Sequence, residues 1–439
     1  MAPADELTVA IVSLGCPKNL VDSEKILAHL AGAGCVVGAP MDDADVIVVN
    51  TCGFIAPAID ESLDVIAEAI ELKRTGRARR VVVAGCLVTR DGEALYDRIE
   101  GIDAIVGVHD RGEIIEAVTG RGRTTRISPC SGPAASDAGR FRLTPRHTAY
   151  LRIAEGCSRQ CAFCTIPAIR GPLRSKRPEH VLDEARELID DGAVELNVIA
   201  QDTTAYGRDL PGAPELAELL RALAELDGLE WVRLLYAYPQ GVSDALIDVL
   251  SAGGPVVPYV DMPLQHIADG VLKRMRRGIT RGRIERLLKT MRSRIDNLVL
   301  RTTLLVGFPG ETDEEFAELL AFVEAFRFDA LGVFPFYPES GTPAETMADQ
   351  VPHAVAIERR EAIMLAQQAI AFDANAAKIG SAVRVLVDGA DANGICLGRS
   401  YGQAPDIDSI CILTDPRPAG RFVAGRIVDT EEYDLIVKP

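Results

Sequence analysis

Three cysteines within one short stretch have the spacing of an iron–sulfur site. Cys157, Cys161 and Cys164 follow one another as C-x3-C-x2-C, directly after a strand-like run at residues 150–154. Three thiolates this close can hold a 4Fe-4S cluster by three of its irons, which leaves the fourth iron free to bind a substrate or cofactor. The alternatives are a zinc site, which ordinarily needs four ligands, and buried thiols without a chemical role. The spacing favours a cluster at which chemistry takes place.

A second group of cysteines lies earlier in the chain, each at the end of an apolar, strand-like run. The three are Cys16 after residues 7–15, Cys52 after residues 44–51, and Cys86 after residues 80–85. They are spaced by about one β-α unit, so parallel strands would bring them to the same sheet edge, where ligands bind in such folds. The hypothesis is a second three-cysteine cluster. Three buried cysteines that happen to end strands are the alternative.

Glycines accompany this second group. Gly15, Gly53 and Gly85 are each adjacent to one of its cysteines, and a residue without Cβ lets the backbone turn tightly or approach a bulky group. The other cysteines have no such placement and are expected to be structural: Cys35, Cys130, Cys396 and Cys411.

Both groups need a scaffold that aligns strand ends. Residues 1–118 alternate strand-like and helical stretches, as an open parallel α/β sheet does. Residues 119–147 are rich in Gly, Pro and Ser without apolar periodicity, which indicates a linker. Residues 148–375 repeat the alternation over five or six β-α units and predict a full or partial barrel, whose functional groups collect at the carboxyl ends of its strands.

Polar residues occur at the expected strand ends of the central block: Gln201 and Asp202, Tyr236 and Tyr238, Gln265 and His266, and the turn at residues 307–311. That turn, Gly307 to Glu311, can bring backbone close to a small ligand. Gln201, Gly307 and Glu311 are the candidate cofactor contacts. A lone histidine at a strand end is more often a structural group than a base, so none of these residues is assigned as a general base.

The totals describe a soluble chain of ordinary composition. Its 439 residues carry a formal net charge of -17, which argues against nucleic-acid binding by the whole surface and is compatible with a basic partner. The first six residues have no basic or apolar signal region, and no apolar run approaches a membrane span. Ten cysteines without an export signal are expected to be metal or redox ligands in a cytoplasmic protein.

At Cys157, Cys161, Phe163 and Cys164 the chain resembles the radical S-adenosylmethionine superfamily. The resemblance implies that the three cysteines hold the 4Fe-4S cluster and that Phe163 lies near the adenine. It also implies that the amino and carboxylate groups of S-adenosylmethionine bind the open iron. One-electron reduction then yields a 5′-deoxyadenosyl radical.

Cys16, Cys52 and Cys86 resemble the auxiliary-cluster ligands of the methylthiotransferases within that superfamily. This resemblance implies two 4Fe-4S clusters, with S-adenosylmethionine serving both as methyl donor and as radical source. It implies a radical S-adenosylmethionine partial (β/α) barrel for the central block. Residues 376–439 resemble the small antiparallel β-barrel called the TRAM domain, so the expected division is 1–118, 119–147, 148–375 and 376–439.

Within the methylthiotransferases, residues 13–24, 200–207 and 398–406 resemble the RimO type, which methylthiolates the β-carbon of an aspartate in ribosomal protein S-twelve of the small subunit. The transfer-RNA type, MiaB, has Gln-Met-Asn after the first cysteine, where this chain has Pro17-Lys18-Asn19. Residues 376–439 hold seven Lys/Arg and nine Asp/Glu. A barrel that grips RNA should be basic, so this balance favours a basic protein substrate.

Two alternatives remain from the sequence. A transfer-RNA adenosine methylthiotransferase would use the same clusters and bind phosphate through the basic segments 74–80 and 273–286. A non-catalytic iron–sulfur electron carrier or RNA-binding protein would not cleave S-adenosylmethionine. The expected partners are ribosomal protein S-twelve, free or on the small subunit, and a reducing electron donor. No membrane is expected, and transfer RNA is expected only under the alternative.

Overall fold

The computed structural model describes residues 7–439, so the absence of a signal region expected for residues 1–6 lies outside it. The first block is an open six-stranded parallel sheet in the order β2-β1-β3-β4-β5-β6. Its strands are β1 (Thr8–Ser13), β2 (Val36–Val37), β3 (Val46–Thr51), β4 (Arg80–Gly85), β5 (Ala104–Gly107) and β6 (Thr124–Arg126). The central strands β3 and β4 are buried throughout and valine-rich, as strands covered by helices on both faces must be.

The helices of this block cover the sheet and are α1 (Pro17–Gly32), α2 (Ala56–Thr75), α3 (Cys86–Asp91), α4 (Leu95–Arg98) and α5 (Ile114–Thr119). Proline near the N-terminus of α1 and of α2 suits a position whose N–H has no helical partner. Strand β6 lies inside the range expected to be linker and pairs with β5. Its three residues, Thr-Thr-Arg, have no apolar alternation, so the sequence contains no strand pattern there.

The central block is a partial barrel of six parallel strands in the order β14-β13-β12-β11-β10-β7. Its strands are β7 (Thr148–Arg152), β10 (Glu195–Ile199), β11 (Trp231–Leu234), β12 (Val256–Asp261), β13 (Val299–Val306) and β14 (Ala330–Pro335), while β8 (Ala154–Glu155) and β9 (Arg174–Ser175) form a separate antiparallel pair.

The helices of the central block are α6 (Ile166–Arg170), α7 (Pro178–Asp190), α8 (Leu216–Ala224), α9 (Asp244–Ser251), α10 (Asp269–Arg274), α11 (Arg281–Arg294), α12 (Asp313–Phe326) and α13 (His353–Ala376). Thr312 and Glu315 have the Thr-x-x-Glu spacing of a capping box, and they form a reciprocal one at the start of α12. No helix within residues 7–439 has the length and apolarity to cross a lipid bilayer.

The C-terminal block is a closed five-stranded barrel whose strands are β15 (Ala382–Ala390), β16 (Cys396–Ser400), β17 (Cys411–Leu413), β18 (Phe422–Glu431) and β19 (Asp434–Lys438). This confirms the expected small β-barrel: four of its five strand pairs are antiparallel, and β17 and β19 run parallel. Strand β18 lies between them in sequence and runs in the opposite direction, so β19 runs in the same direction as β17.

The small barrel inserts a loop into the open interior of the central barrel. Tyr150 donates to Asp406 (2.9 Å), Tyr259 donates to Asp408 (2.6 Å), and Arg233 donates to the carbonyl of Tyr401. Trp231 and Phe422 pack edge to face beside these bonds, with ring centroids 4.7 Å apart. The C-terminal block therefore closes the inside of the central sheet and leaves the carboxyl ends of its strands to the N-terminal block.

Candidate metal centres

The three strand-end cysteines lie at one edge of the first sheet. Cys16 caps the start of α1 after β1, Cys52 follows β3 directly, and Cys86 is the first residue of α3 after β4. Strand β3 pairs with both β1 and β4 in parallel register, so the three carboxyl ends are neighbours. The sheet thus brings together residues that are far apart in sequence.

Two of the adjacent glycines allow neighbouring backbone segments at this edge to pack closely. Gly15 has a φ of +85°, and a Cβ there would lie 2.8 Å from the Cβ of Cys52. A Cβ at Gly53 would lie 2.9 Å from the carbonyl carbon of Cys86. Gly15 and Gly53 therefore each make room for the next cysteine along the edge, as the expected close backbone approach requires.

The electrostatics of this edge differ from one thiol to the next. Burial raises the pKa of Cys86 to about 12, with Arg170 opposing the shift, and burial also raises the pKa of Cys52. Burial works against ionisation of Cys16 too, yet Lys18 and Arg170 bring the pKa of Cys16 below its usual value. Buried thiols of this kind ionise when they bind iron, because the metal charge favours the thiolate.

The C-x3-C-x2-C loop is fixed by backbone contacts to several parts of the central barrel. Gly156 has a φ of +72°, and a side chain there would collide with the carbonyl of Pro172. Cys157 donates its N–H to the carbonyl of Gly171 (3.0 Å). Ala162 donates to the carbonyl of Met275 (3.0 Å) and accepts from the N–H of Ala344 (2.9 Å). The backbone geometry of the three thiols is therefore set by distant segments of the fold.

Two arginines lie beside these thiols. Arg277 approaches the sulfur of Cys161 at 3.5 Å, and Arg159 donates to Asp202 at 2.8 Å. The two guanidiniums contact the ring of Tyr238, with their carbons 4.2 Å and 4.0 Å from its centroid. Positive charge next to cluster thiolates stabilises them. Burial meanwhile raises the pKa of Cys164 to about 12.

The donor sets suit iron–sulfur clusters. Each of the two sites offers three cysteine thiols, and in a 4Fe-4S cluster each thiolate binds a different iron. A single zinc ion would ordinarily need a fourth ligand at the same site. Within residues 7–439, no group of three or more His, Cys, Asp or Glu side chains is arranged as the ligands of a single metal ion.

The candidate cofactor contacts fall into two kinds. Phe163 packs edge to face on Phe308, with centroids 6.4 Å apart, and Gln201 follows β10 with both amide atoms buried and unpartnered in the described chain. An orphaned buried amide fits a polar ligand that binds there. Gly307 and Glu311 differ, because the carboxylate of Glu311 accepts the N–H of Gly307 (2.8 Å) and the guanidinium of Arg359 (2.9 Å). These two residues fix the turn after β13 through hydrogen bonds within the protein.

His266 is buried, and its Nε2 has no hydrogen-bond partner in the described chain. Burial lowers the pKa of His266 to about 3, so the ring is neutral. Its Nδ1 accepts the N–H of Ala268 at 3.1 Å, which leaves the proton on Nε2. A ring fixed in this way has no basic nitrogen available to a substrate.

The two cysteine groups meet through α6, the helix that follows Cys164. Arg170, at its end, donates to the sulfur of Cys86 at 3.2 Å, to Asp22 at 2.8 Å and to Glu155 at 2.8 Å. The segment that carries one set of thiols thus contacts a thiol of the other set directly. The contact places the two cysteine groups on neighbouring parts of the fold.

Sequence reasoning missed the charged residues that join the blocks. Arg170, Lys18 and Glu339 gave no signal, since arginine, lysine and glutamate at loop and helix positions usually face solvent. Glu339 of the central block accepts hydrogen bonds from two groups of the first block, the N–H of Ala56 (2.7 Å) and the guanidinium of Arg90 (2.8 Å). Only the folded chain shows that these charges are buried between domains.

Comparison with known families and relatives matches every block of this architecture. Family models match residues 151–323 (radical SAM superfamily), residues 8–107 (uncharacterized protein family UPF0004) and residues 379–439 (TRAM domain). A protein of Geobacter sulfurreducens named ribosomal protein uS12 methylthiotransferase RimO is 46% identical over 98% of this chain and 97% of its own. A protein of the same name from Clostridioides difficile is 41% identical over 98% of both chains.

Solved structures share the fold at low sequence identity. The radical S-adenosylmethionine methyltransferase TsrM from Kitasatospora setae, with cobalamin and a [4Fe-4S] cluster bound, superposes with a TM-score of 0.54 at 19% identity. The match covers 77% of this chain and 76% of that one. At this identity the likeness supports the fold alone.

Replacement of Gly53 by alanine tests the strand-edge geometry. The new Cβ would lie 2.8 Å from the backbone of Leu87, so α3 must move and carry Cys86 with it. We expect Gly53→Ala to retain about half of the wild-type iron after reconstitution, because only one of two clusters is lost. Iron and sulfide analysis measures this. Gly32→Ala is the control, since a Cβ there meets nothing within 4 Å, and a full iron load in Gly53→Ala would contradict the account.

Proposed function

The chain belongs to the RimO family of ribosomal protein uS12 methylthiotransferases, and on this premise we propose that it adds a methylthio group to the β-carbon of an aspartate in uS12. It is a radical S-adenosylmethionine enzyme that transfers a sulfur-containing group and uses two 4Fe-4S clusters. The observation that carries the proposal is the hydrogen bond to the sulfur of Cys86 from Arg170, which lies on the helix that follows Cys164.

Two adjacent centres fit a reaction that needs both a radical and a sulfur group. Bound at these sites, S-adenosylmethionine and the clusters supply a 5′-deoxyadenosyl radical and a methylthio group. Cys157, Cys161 and Cys164 would hold the cluster that generates the radical. Cys16, Cys52 and Cys86 would hold the auxiliary cluster. No side chain is assigned as a general base, because removal of a hydrogen atom from carbon requires none.

The described chain also supports roles for residues around the first site. Phe163 would contact the adenine, and the orphaned amide of Gln201 would hydrogen-bond a polar group of the cofactor. Gly307 and Glu311 would act by fixing the turn that follows β13. Arg159 and Arg277, which share the ring of Tyr238, would balance negative charge at this cluster.

The division of labour follows the blocks. Residues 1–118 would carry the auxiliary cluster and residues 148–375 the radical chemistry, with 119–147 linking them and 376–439 as the TRAM domain. The partners would be uS12, either free or on the small ribosomal subunit, and a reducing electron donor. Such a partner set is that of a cytoplasmic enzyme.

Product analysis tests the substrate. We expect uS12 from a strain that lacks this protein to lose the methylthio group on aspartate and to regain it when the gene is restored. Digested transfer RNA from the same strain should keep its methylthio-adenosine. Mass spectrometry of both fractions measures this, and loss of the modification from transfer RNA with uS12 unchanged would replace the proposal with the nucleic-acid substrate.

Removal of one auxiliary ligand should separate the two half-reactions. Cys52→Ala leaves the Cys157, Cys161 and Cys164 loop intact, so the reduced protein should still convert S-adenosylmethionine to 5′-deoxyadenosine. It should form no methylthio product, because the auxiliary cluster is lost. Chromatography of the nucleoside and the mass of uS12 report the two outcomes. Product formation by this variant would show that the auxiliary site does not present the sulfur.

A further inference from the structure

Lys18 is a buried cation that forms no ion pair with a carboxylate in the described chain. It lies two residues after Cys16 in the first turn of α1, and only 7% of it is exposed. Its ammonium nitrogen lies 3.2 Å from the centroid of the Tyr236 ring. No carboxylate of residues 7–439 forms an ion pair with it, whereas the buried Lys176 pairs with both Asp137 (2.7 Å) and Glu184 (2.5 Å).

This placement is electrostatically unfavourable unless an anion joins it. Removing an ammonium from water is costly, and a cation–π contact offsets only part of that cost. The first turn of a helix adds the positive end of the macrodipole, which repels a cation. The Cys16 thiolate, two residues before Lys18, would itself be bound to iron, so an anion that is not part of the chain would balance the charge of Lys18.

The ammonium lies at the carboxyl end of β11 in the central barrel, over the ring of Tyr236. Tyr236 follows β11 and has a φ of 58°, a left-handed backbone conformation that non-glycine residues rarely adopt. The carbonyl of Tyr236 accepts hydrogen bonds from the N–H (3.1 Å) and the hydroxyl (3.1 Å) of Thr203. The N–H of Tyr236 donates to the carboxylate of Asp261 (3.1 Å). The chain thus fixes a strained tyrosine where the strand-end cysteines meet the barrel, and Lys18 packs on its ring.

Nearby cations are already engaged. Arg170 pairs with Asp22 and Glu155, and Arg159 pairs with Asp202. Arg277 pairs with no carboxylate of residues 7–439 but lies beside Cys161, at the other cysteine group. Lys18 therefore has charge to offer a ligand on the side of the strand-end cysteines.

We propose that Lys18 binds the side-chain carboxylate of the substrate aspartate, an assignment that rests on the proposed function. The carboxylate is bonded directly to the β-carbon, so anchoring it fixes the reacting carbon to within one bond. The ring of Tyr236 keeps the ammonium in place before substrate arrives. A neutral side chain such as asparagine has the same shape but lacks the charge that this site requires.

The test compares binding of uS12 that carries aspartate or asparagine at the modified position. Lys18→Met removes the charge and keeps a flexible apolar side chain. Loss of one partner of a buried charge pair should weaken binding of the aspartate form by about 30-fold or more. Lys18→Met should bind the asparagine form of uS12 within about 2-fold as tightly as the wild-type protein does, since asparagine forms no ion pair that the substitution could remove. Titration of cluster-loaded protein with labelled uS12 measures both.

Two further variants keep the result interpretable. Lys18→Arg retains the charge and should retain the preference for aspartate. Lys25→Met removes another lysine of α1, one that donates to the carbonyl of Ala138, and should leave the preference unchanged. Iron analysis of every variant shows whether the auxiliary cluster is present.

Three outcomes overturn the assignment. Lys18→Met could prefer aspartate as strongly as the wild type does, in which case the ammonium does not contact the carboxylate. It could lose iron while its loaded fraction keeps the preference, and Lys18 would then balance the cluster itself. If the wild-type protein binds neither form of uS12, the proposed substrate fails, and the assignment fails with it.

Discussion

Asp22 accepts hydrogen bonds from three arginines that come from three different segments of the chain: Arg111, Arg152 and Arg170. Asp22 belongs to the helix that begins at the first strand-end cysteine, and Arg170 ends the helix that follows the C-x3-C-x2-C loop. Arg152 is fully buried and also binds Glu155 (2.8 Å). This network sets the orientation of one cysteine group relative to the other, and the remaining architecture depends on it.

A buried network of this kind specifies geometry more than it adds stability. Desolvating each charge costs several kcal/mol, and good hydrogen-bond geometry returns about the same amount, so an apolar core of equal volume would be comparably stable. An apolar interface would, however, tolerate sliding between the blocks. Fixed directional bonds at Asp22 hold the distance between the two metal centres to one value, which a reaction divided between them requires.

The sequence predicts those parts of the site that follow from local rules. Cysteines that end valine-rich strands must meet at one sheet edge, and the capping box at Thr312 predicts where α12 begins. Contacts between distant charged residues follow no local rule, so Arg170 and Lys18 could not be predicted. The slightly acidic tail illustrates the same limit. Asp388 binds Arg399 and His147, and Asp406 and Asp408 bind tyrosines of the central barrel, so these acids serve internal contacts rather than a basic partner.

The central claim is that the two clusters lie close together, on segments that Arg170 connects. Electron paramagnetic resonance of the fully reduced protein tests it directly, in comparison with Cys52→Ala and Cys161→Ala, each of which retains one cluster. The account predicts dipolar broadening or splitting in the wild-type spectrum that neither variant shows. A wild-type spectrum equal to the sum of the two variant spectra would contradict it, because two clusters joined through Arg170 must interact magnetically.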